Sequence, residues 1–424
     1  MISRIRTRVG RMLDGLFLGM EARVVGLVLL TGFLCGIVGA LFLFVLHLLQ
    51  HVLWPTEWSG PVGFAILGGV GLTVGLLARF VGSPGDVELM VDNIHVSGTA
   101  TGMRRLRTLL PASWLCIASG GAMGPEAPLV QTTGTLASHT AKRAGLGVRE
   151  SRVLTIAGMA AGFTVLFGAP LGAAVFALEL LHRRGLQYYE AIMPAVLGSL
   201  AGWSVYVVAT GAGLAPVWHL PAPASLHVGD LGWAFVAGVL GAFVAVAFTL
   251  LCALLRRGAR RLPALTRPLV GGLLLAALGM LSAWSLTFGE AQIGEILAKH
   301  GGTVAFFLLA ALAKLAGTSV TLSSEWRGGF IIPLFFVGAC LGRAFHLAVP
   351  GADEAVMVAA LMAASNAGVT KTPLGSTLVV SGMAGMRVLP TTLFATVVTF
   401  VLTSEVGLIH SQRERDVVGG DAAS

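Results

Sequence analysis

Apolar residues dominate this chain in long runs, which are separated by short polar loops. Such runs predict membrane-spanning helices, because a full span takes about 20 consecutive apolar residues. We predict a first span at 24–47. Further apolar stretches lie at 61–81, 108–120, 151–181, 190–210, 232–255, 268–286, 303–322, 331–348, 354–364 and 373–403. Several are shorter than a span or contain Gly and Pro, which is typical of broken helices lining a transport pathway.

The composition excludes whole classes of protein. Of 424 residues, 55% are hydrophobic and 11% are charged, and the mean hydropathy is +0.85. A soluble domain carries about 25% charged residues, so this chain has too little polar surface to cover a water-soluble globule. We therefore predict an all-α polytopic membrane protein, and we exclude a soluble enzyme, a disulfide scaffold and a nucleic-acid partner.

The basic residues predict the orientation in the membrane. The net charge is +8, and cytoplasmic loops collect Lys and Arg. Residues 1–23 form a basic arm, whereas 51–60 and 207–229 contain neither Lys nor Arg and are predicted to lie outside. Five arginines crowd 256–267, which we place inside. We expect a multi-pass protein of the inner (plasma) membrane with both termini cytoplasmic, in which Lys314 snorkels to the cytoplasmic edge.

Two halves of the chain resemble each other. AAGFTVLFGAPLG at 160–172 aligns with AASNAGVTKTPLG at 363–375, an offset of 203 residues, and a Pro-Leu pair recurs at an offset of 205. Internal repeats are typical of transporters with a substrate site at the repeat interface. We predict membrane repeats at 24–210 and 232–412, followed by a cytoplasmic tail at 413–424.

Three short segments place glycines and a proline just before an apolar helix. They read GSPGDVE at 82–88, GPEAPL at 124–129 and GGFIIP at 328–333. Glycine permits tight turns, and proline is at ease in the first helical turn. The first N–H groups of a helix lack internal partners and carry partial positive charge. Three such helix starts that meet within a membrane form a site for a dehydrated anion, which they bind weakly enough to release.

Glu126 carries the most information, because an intramembrane carboxylate is costly and is by default a functional residue. At a helix start it can occupy the anion site when ionised and leave it when protonated. Because the side chain enters or leaves the anion site with its charge state, it can both gate the pathway and carry a proton. The alternative is a glutamate that only caps a helix.

These segments resemble those of the CLC family of chloride channels and proton/chloride antiporters, in its prokaryotic type without cytoplasmic regulatory domains. GPEAP at 124–128 is similar to the family's G-R-E-G-P, with Glu126 at the gating position. GGFIIP at 328–333 resembles G-x-F-x-P, and GSPG at 82–85 resembles G-S-G-I-P. FGAPLG at 167–172 matches a helix start near the dimer-facing region.

The resemblance implies a homodimer of tilted, broken helices in two inverted repeats, with one anion pathway in each subunit. It also implies chloride as the bound substrate ion, with no cofactor. The implied anion-binding residues are Ser83, Gly124, Glu126, Ala127, Phe330, Ile331 and His410. The implied proton pathway consists of Glu126 and Glu179.

The chain departs from the family pattern in the anion segments. Pro125 replaces the arginine of G-R-E-G-P, and Pro84 replaces a glycine, so each position loses an N–H donor. The order Ser-Pro-Gly-Asp leaves the register of Ser83 open by one residue. Before the third segment, Glu325-Trp326-Arg327 replaces the small residues of the family pattern. Arg327 either raises the local concentration of anions or pairs with Glu325, and we expect the pair.

Two further departures concern proton coupling and the inner end of the pathway. Glu179 fits the first of two positions near the family's internal proton glutamate, but Leu180 falls at the proton-handling one. No tyrosine lies near the C-terminal end, where the family uses its hydroxyl as an anion ligand. His410 stands there instead, and an imidazole can donate a hydrogen bond.

We therefore expect chloride transport gated by Glu126, with proton exchange left open. A fluoride- or nitrate-selective relative is the alternative within the family. An ion-coupled carrier of a different substrate is the alternative from another class. A membrane-embedded enzyme and a metal site are not expected, because the sequence shows neither a nucleophile with a partner base nor an HExxH pattern.

Overall fold

The computed structural model describes residues 22–54, 60–184, 186–211, 218, 226–299 and 301–412. Within these ranges the chain forms sixteen α-helices and no strand, which confirms the predicted all-α class. The helices are α1 (Ala22–Leu53), α2 (Gly60–Phe80), α3 (Val87–Ser97), α4 (Met103–Ala118), α5 (Glu126–Arg143), α6 (Val148–Phe167), α7 (Pro170–Glu179), α8 (Ile192–Thr210), α9 (Val228–Ala259), α10 (Arg267–Leu281), α11 (Glu290–Ala298), α12 (Val304–Ser323), α13 (Ile331–Ala348), α14 (Glu354–Thr370), α15 (Pro373–Ala384) and α16 (Leu389–Leu402). The predicted tail and almost all of the predicted basic arm lie outside the described residues.

Seven of these helices are long and apolar enough to cross a membrane, namely α1, α2, α6, α8, α9, α12 and α13. Two predicted apolar stretches are each divided into two helices. The stretch 151–181 breaks at Gly168, which caps α6 in the left-handed conformation, and Pro170 then opens α7. The stretch 373–403 breaks at Gly385, where φ is also positive. Glycine adopts these angles without steric cost, so the breaks fall where it occurs.

The two halves of the chain repeat one packing pattern. In the first half α6 lies at the centre and contacts α1, α5, α7 and α8. In the second half α14 lies at the centre and contacts α9, α13, α15 and α16. The halves meet where α2 packs on α10 and α7 packs on α15. The same order of eight helices therefore builds each half around one buried helix.

The central helices are made of small residues because their neighbours approach closely. Every residue of α14 from Ala355 to Thr370 is buried. Gly338 and Gly342 lie four residues apart on α13, and a Cβ at either would overlap the backbone of α14. In membranes, where apolar side chains gain little by leaving lipid, close backbone packing of this kind stabilises helix pairs.

Candidate anion pathway

The loops before α5 and α13 pair with each other at the centre of the molecule. Gly124 N–H donates to the Gly329 carbonyl at 2.8 Å, and Gly329 N–H donates to the Gly124 carbonyl at 2.6 Å. The two glycines are 205 residues apart, which is the offset of the recurring Pro-Leu pair. This reciprocal antiparallel bridge creates a local two-fold relation, in which the first turns of α5 and α13 lie next to each other.

Glu126, the first residue of α5, reaches across this bridge. Its side chain is fully buried, and its Oε1 accepts a hydrogen bond from the Ile332 N–H of α13 at 2.6 Å. Its Oε2 has no hydrogen-bond partner among the described residues. A Cβ at Gly124 or Gly329 would overlap the carboxylate, so both glycines are needed to admit it. Glu126 therefore places a carboxylate on the amide end of the helix that begins the other half.

A cavity of about 30 Å³ lies beside this bridge, where α3, α5 and α13 begin. A space of this size holds one water molecule or one small ion. Ala127, Phe330 and Ile331 line it from the two bridged segments, and Leu180 and Ile409 also line it. We call this space the inner cavity. Its walls come from both halves, as the repeat in the sequence predicts.

A larger vestibule of about 390 Å³ adjoins the inner cavity, since Val87, Ala127, Phe330 and Ile409 line both. Ser83 lines the vestibule but not the inner cavity. The reason is that α3 begins only at Val87, and its N-cap is Asp86, which accepts from Leu89 N–H at 2.9 Å.

The remaining predicted anion ligands are placed as follows. Gly124 is buried in the bridge and lines neither cavity, whereas Ala127 and Phe330 line both and Ile331 lines the inner cavity. His410 is exposed and lines neither cavity. Its neighbour Ile409 is buried and takes that place, because the apolar side chain packs inward while the imidazole remains in contact with solvent.

Glu179, the predicted proton carrier, serves as a helix cap. Its Oε2 accepts from Gly375 N–H at 2.6 Å, and its Oε1 accepts from Leu374 N–H at 3.2 Å. Both amides belong to the first turn of α15, so the carboxylate satisfies donors that have no partner inside that helix. The next residue, Leu180, lines the inner cavity with an apolar side chain.

The expected pair of Glu325 with Arg327 is wrong. Glu325 accepts from Arg267 Nη1 at 2.6 Å, and Arg327 Nη1 instead donates to the Gly85 carbonyl at 3.1 Å. Glu325 has a left-handed backbone (φ 67°) that turns the chain after α12. This turn directs the two side chains to different partners.

Lys314 does not snorkel to a membrane edge. It is fully buried, and its Nζ donates to the Leu286 carbonyl at 2.5 Å, the Thr287 carbonyl at 2.8 Å and Gln292 Oε1 at 2.7 Å. Three oxygens around the ammonium group make this interior position tolerable, because a buried charge must be hydrogen-bonded. Lys314 therefore ties the segment before α11 to the middle of α12.

Sequence reasoning missed the arginine side chains of the vestibule wall. Arg256, Arg260 and Arg267 line it, although in the sequence they served only to assign a loop to the cytoplasm. It also missed Gln412, whose amide Nε2 donates to the carbonyls of Leu180 at 2.9 Å and Thr370 at 2.7 Å. Gln412 thereby holds the segment that carries Ile409 against the inner cavity. No local pattern marks either role.

Known proteins resemble this chain along most of its length. The family model described as voltage gated chloride channel matches residues 70–404. A chloride/fluoride channel protein of Pseudomonas syringae pv. tomato is 29% identical over 413 residues, which cover 91% of this chain and 85% of that protein.

Two solved structures share the fold. A CLC-type fluoride/proton antiporter superposes with a TM-score of 0.80 at 24% identity, over 92% of this chain and 98% of that chain. A slow cyanobacterial Cl−/H+ antiporter superposes with a TM-score of 0.79 at 21% identity, over 91% of this chain and 95% of that chain. These likenesses confirm the predicted CLC-like fold in two inverted repeats. Since the family model spans more than three quarters of the residues, the chain belongs to the voltage gated chloride channel family of membrane anion transporters and channels.

Proposed function

We propose that this protein moves chloride across the membrane through the vestibule and the inner cavity, past Glu126, which gates the passage. In this proposal the Glu126 carboxylate and the transported anion compete for the amide end of α13. Ionised Glu126 closes the passage, and protonated Glu126 leaves it open to the anion. The amides have no full positive charge, so the anion is bound weakly enough to move on.

One observation carries the proposal. The Glu126 carboxylate is buried on the bridge between the two halves, with one oxygen on Ile332 N–H and the other without a hydrogen-bond partner in the described part of the chain. Glu179 caps a helix of the other half with both of its oxygens, each of which accepts from an α15 amide. Glu126 also reaches the first turn of a helix in the other half, where the inner cavity begins, but one of its oxygens has no partner among the described residues.

The vestibule supports an entry for anions from the cytoplasm. Arginines of the 256–267 segment line it, and this segment is the one that the distribution of Lys and Arg places inside. Positive charge at the mouth of a low-dielectric cleft raises the local concentration of anions. We accordingly propose an inner (plasma) membrane protein with cytoplasmic termini, and a homodimer with one pathway per subunit, as the family resemblance implies.

Proton exchange is the second candidate activity, and fluoride is the second candidate anion. Glu126 favours proton exchange, because a carboxyl group that leaves the passage on protonation carries a proton. Glu179 and Leu180 oppose a second carrier at the family's internal position, since Glu179 is held by two amides of α15 and Leu180 is apolar. Fluoride is supported by the Pseudomonas relative, whose name includes it, and by an inner cavity of only about 30 Å³ without the Ser83 hydroxyl.

The experiment is flux from liposomes that contain the purified full-length protein. Chloride release is followed with an ion-selective electrode, while external pH is recorded in the same vessel, and fluoride and nitrate are tested in parallel. We expect chloride release that is independent of sodium. Vesicles that stay tight to all three anions refute the proposed function, and proton uptake in fixed ratio to chloride release establishes exchange. Light scattering of the solubilised protein tests the dimer.

A further inference from the structure

Another cavity lies beside the end of α1, apart from the proposed anion path. It has a volume of about 500 Å³, and none of its lining residues lines the vestibule or the inner cavity. We call this space the α1 cleft. Its first wall is the last two turns of α1 with Trp54, and its second wall contains Ile117, Ala118, Gly120 and Thr287. Anion transport through the vestibule gives this cleft no role.

The α1 wall of the cleft carries two histidines four residues apart. His47, Gln50 and His51 occupy positions i, i+3 and i+4 of the helix, and all three line the cleft. Side chains at these spacings lie on one face of a helix, with Cβ atoms about 5–6 Å apart. The segment lacks the glutamate of an HExxH pattern, but that glutamate acts as a base, and the two histidines are what hold the metal. The spacing of a two-histidine metal chelate is therefore present.

Both imidazoles are available to a ligand. The side chains of His47 and His51 are exposed, and neither has a hydrogen-bond or ion-pair partner among the described residues. The half-buried Gln50 side chain likewise has none within the described ranges. By contrast, the half-buried His346 has its Nδ1 2.7 Å from the Ala352 carbonyl oxygen. The nitrogens of the α1 pair are thus not committed to the fold.

The facing wall of the cleft is held in place by hydrogen bonds. Thr287 N–H donates to the Gly120 carbonyl at 2.8 Å, and the Thr287 carbonyl accepts from Lys314 Nζ at 2.8 Å. Gly120 has a left-handed backbone (φ 98°), and a Cβ at this position would overlap the Trp54 ring. The end of α1 therefore packs against a fixed loop, so the face that carries the two histidines borders a preformed cleft.

We propose that His47 and His51 bind a divalent transition metal such as Zn²⁺, with Gln50 Oε1 and water completing the coordination. Imidazole suits Zn²⁺, Ni²⁺ and Cu²⁺, whereas Mg²⁺ and Ca²⁺ require oxygen ligands, and no described residue that lines the cleft carries a carboxylate. Within the described chain no three His, Cys, Asp or Glu side chains meet in a metal-binding group, so the site is open and exchanges its metal with solvent. Because residues 51–60 are the ones that we place outside, the metal comes from that side. Bound there, it bridges successive turns of α1 and stabilises the helix end against the Gly120 loop.

Zinc binding to the purified full-length protein, without an affinity tag, tests the site independently of anion flux. In isothermal titration calorimetry with Zn²⁺, we expect His51→Ala to bind one equivalent per chain less than the wild type. His410→Ala is the matched control, because His410 is also exposed but lies outside the α1 cleft, and it is expected to lose none. Equal zinc binding by the wild type and His51→Ala overturns the inference.

A second variant tests the geometry of the chelate and not merely the number of histidines. The double substitution His47→Ala with Leu48→His keeps that number but moves one imidazole about 100° around the helix, at a leucine that is already exposed. We expect it to lose the same equivalent of zinc, and we expect zinc to raise Tm in the wild type and in neither variant. In zinc-soaked crystals of the wild type, an anomalous peak is expected between His47 and His51. Full zinc binding by the double variant, or anomalous zinc peaks that all lie away from the α1 cleft, overturns the inference.

Discussion

Glu126→Gln tests whether a carboxylate and an anion compete at the amide end of α13. Glutamine has nearly the same shape as glutamic acid, so its side-chain oxygen can still accept from Ile332 N–H, which lies 2.6 Å from Oε1 in the wild type. The second oxygen, which has no hydrogen-bond partner among the residues that the structure describes, becomes an NH2 group. The variant thus imitates protonated Glu126 and leaves the bridge between Gly124 and Gly329 in place.

The size of the effect follows from the kind of hydrogen bond that is lost. A hydrogen bond to a charged group contributes about 1.5–3 kcal/mol net, and a neutral one about 0.5–1.5 kcal/mol. Replacing the first by the second weakens the hold of residue 126 on α13 by about 1.4 kcal/mol, which is tenfold in occupancy. An anion then displaces the side chain about ten times more readily.

The assay is chloride release from liposomes over a range of pH. Wild-type flux is expected to rise as pH falls, because protonation removes the charge that closes the passage. Glu126→Gln has no proton to gain, so we expect its flux to match the wild-type value at low pH and to stay flat. Glu405→Gln, which changes an exposed carboxylate, is the matched control. A Glu126→Gln variant that keeps the wild-type pH response refutes Glu126 as the gate.

Three further substitutions test the surrounding structure. Gly329→Ala places a methyl group where the Glu126 carboxylate lies, so we expect it to flatten the pH response of chloride flux. Gly351→Ala, whose Cβ lies in open space, is the control and leaves the response unchanged. A normal pH response in Gly329→Ala contradicts the described bridge. Glu179→Gln leaves one α15 amide facing an NH2 group, so we expect the free energy of unfolding to fall by about 1–3 kcal/mol. The measurement is Tm in detergent, and an unchanged Tm argues against the cap. Lys314→Met leaves three buried oxygens without their hydrogen-bond donor, so we expect a severe loss of folded protein. Lys299→Met is the control and keeps a normal folded yield. Equal yields of the two variants show that the buried ammonium group is dispensable.

The positions and ends of many helices depend on local sequence patterns and can therefore be predicted from the sequence. Apolar runs determine which segments are helices, and Gly168 followed by Pro170 breaks one run into α6 and α7. The Gly-Pro segments mark where α5 and α13 begin. These features depend only on backbone conformation and on side chains a few residues apart.

Pairing between distant segments was decided only by the tertiary structure. Glu325 and Arg327 are only two positions apart in the sequence, but the left-handed turn at Glu325 directs one to Arg267 and the other to Gly85. The local match placed His410 on the pathway, yet packing turned Ile409 inward instead. A side chain's neighbours depend on how whole helices pack, and a shift of one residue reverses which side chain is buried.

The sequence by itself determined a membrane-embedded helical protein with an intramembrane glutamate at a helix start, because these depend on composition and local pattern. Only the tertiary structure showed that this glutamate accepts a hydrogen bond from the first turn of a helix in the other half. It also showed that Glu179 caps α15 and that Arg327 lines a vestibule. The two glutamate contacts join residues that are 206 and 196 positions apart. No local pattern encodes them, because such contacts form only when both halves of the chain pack together.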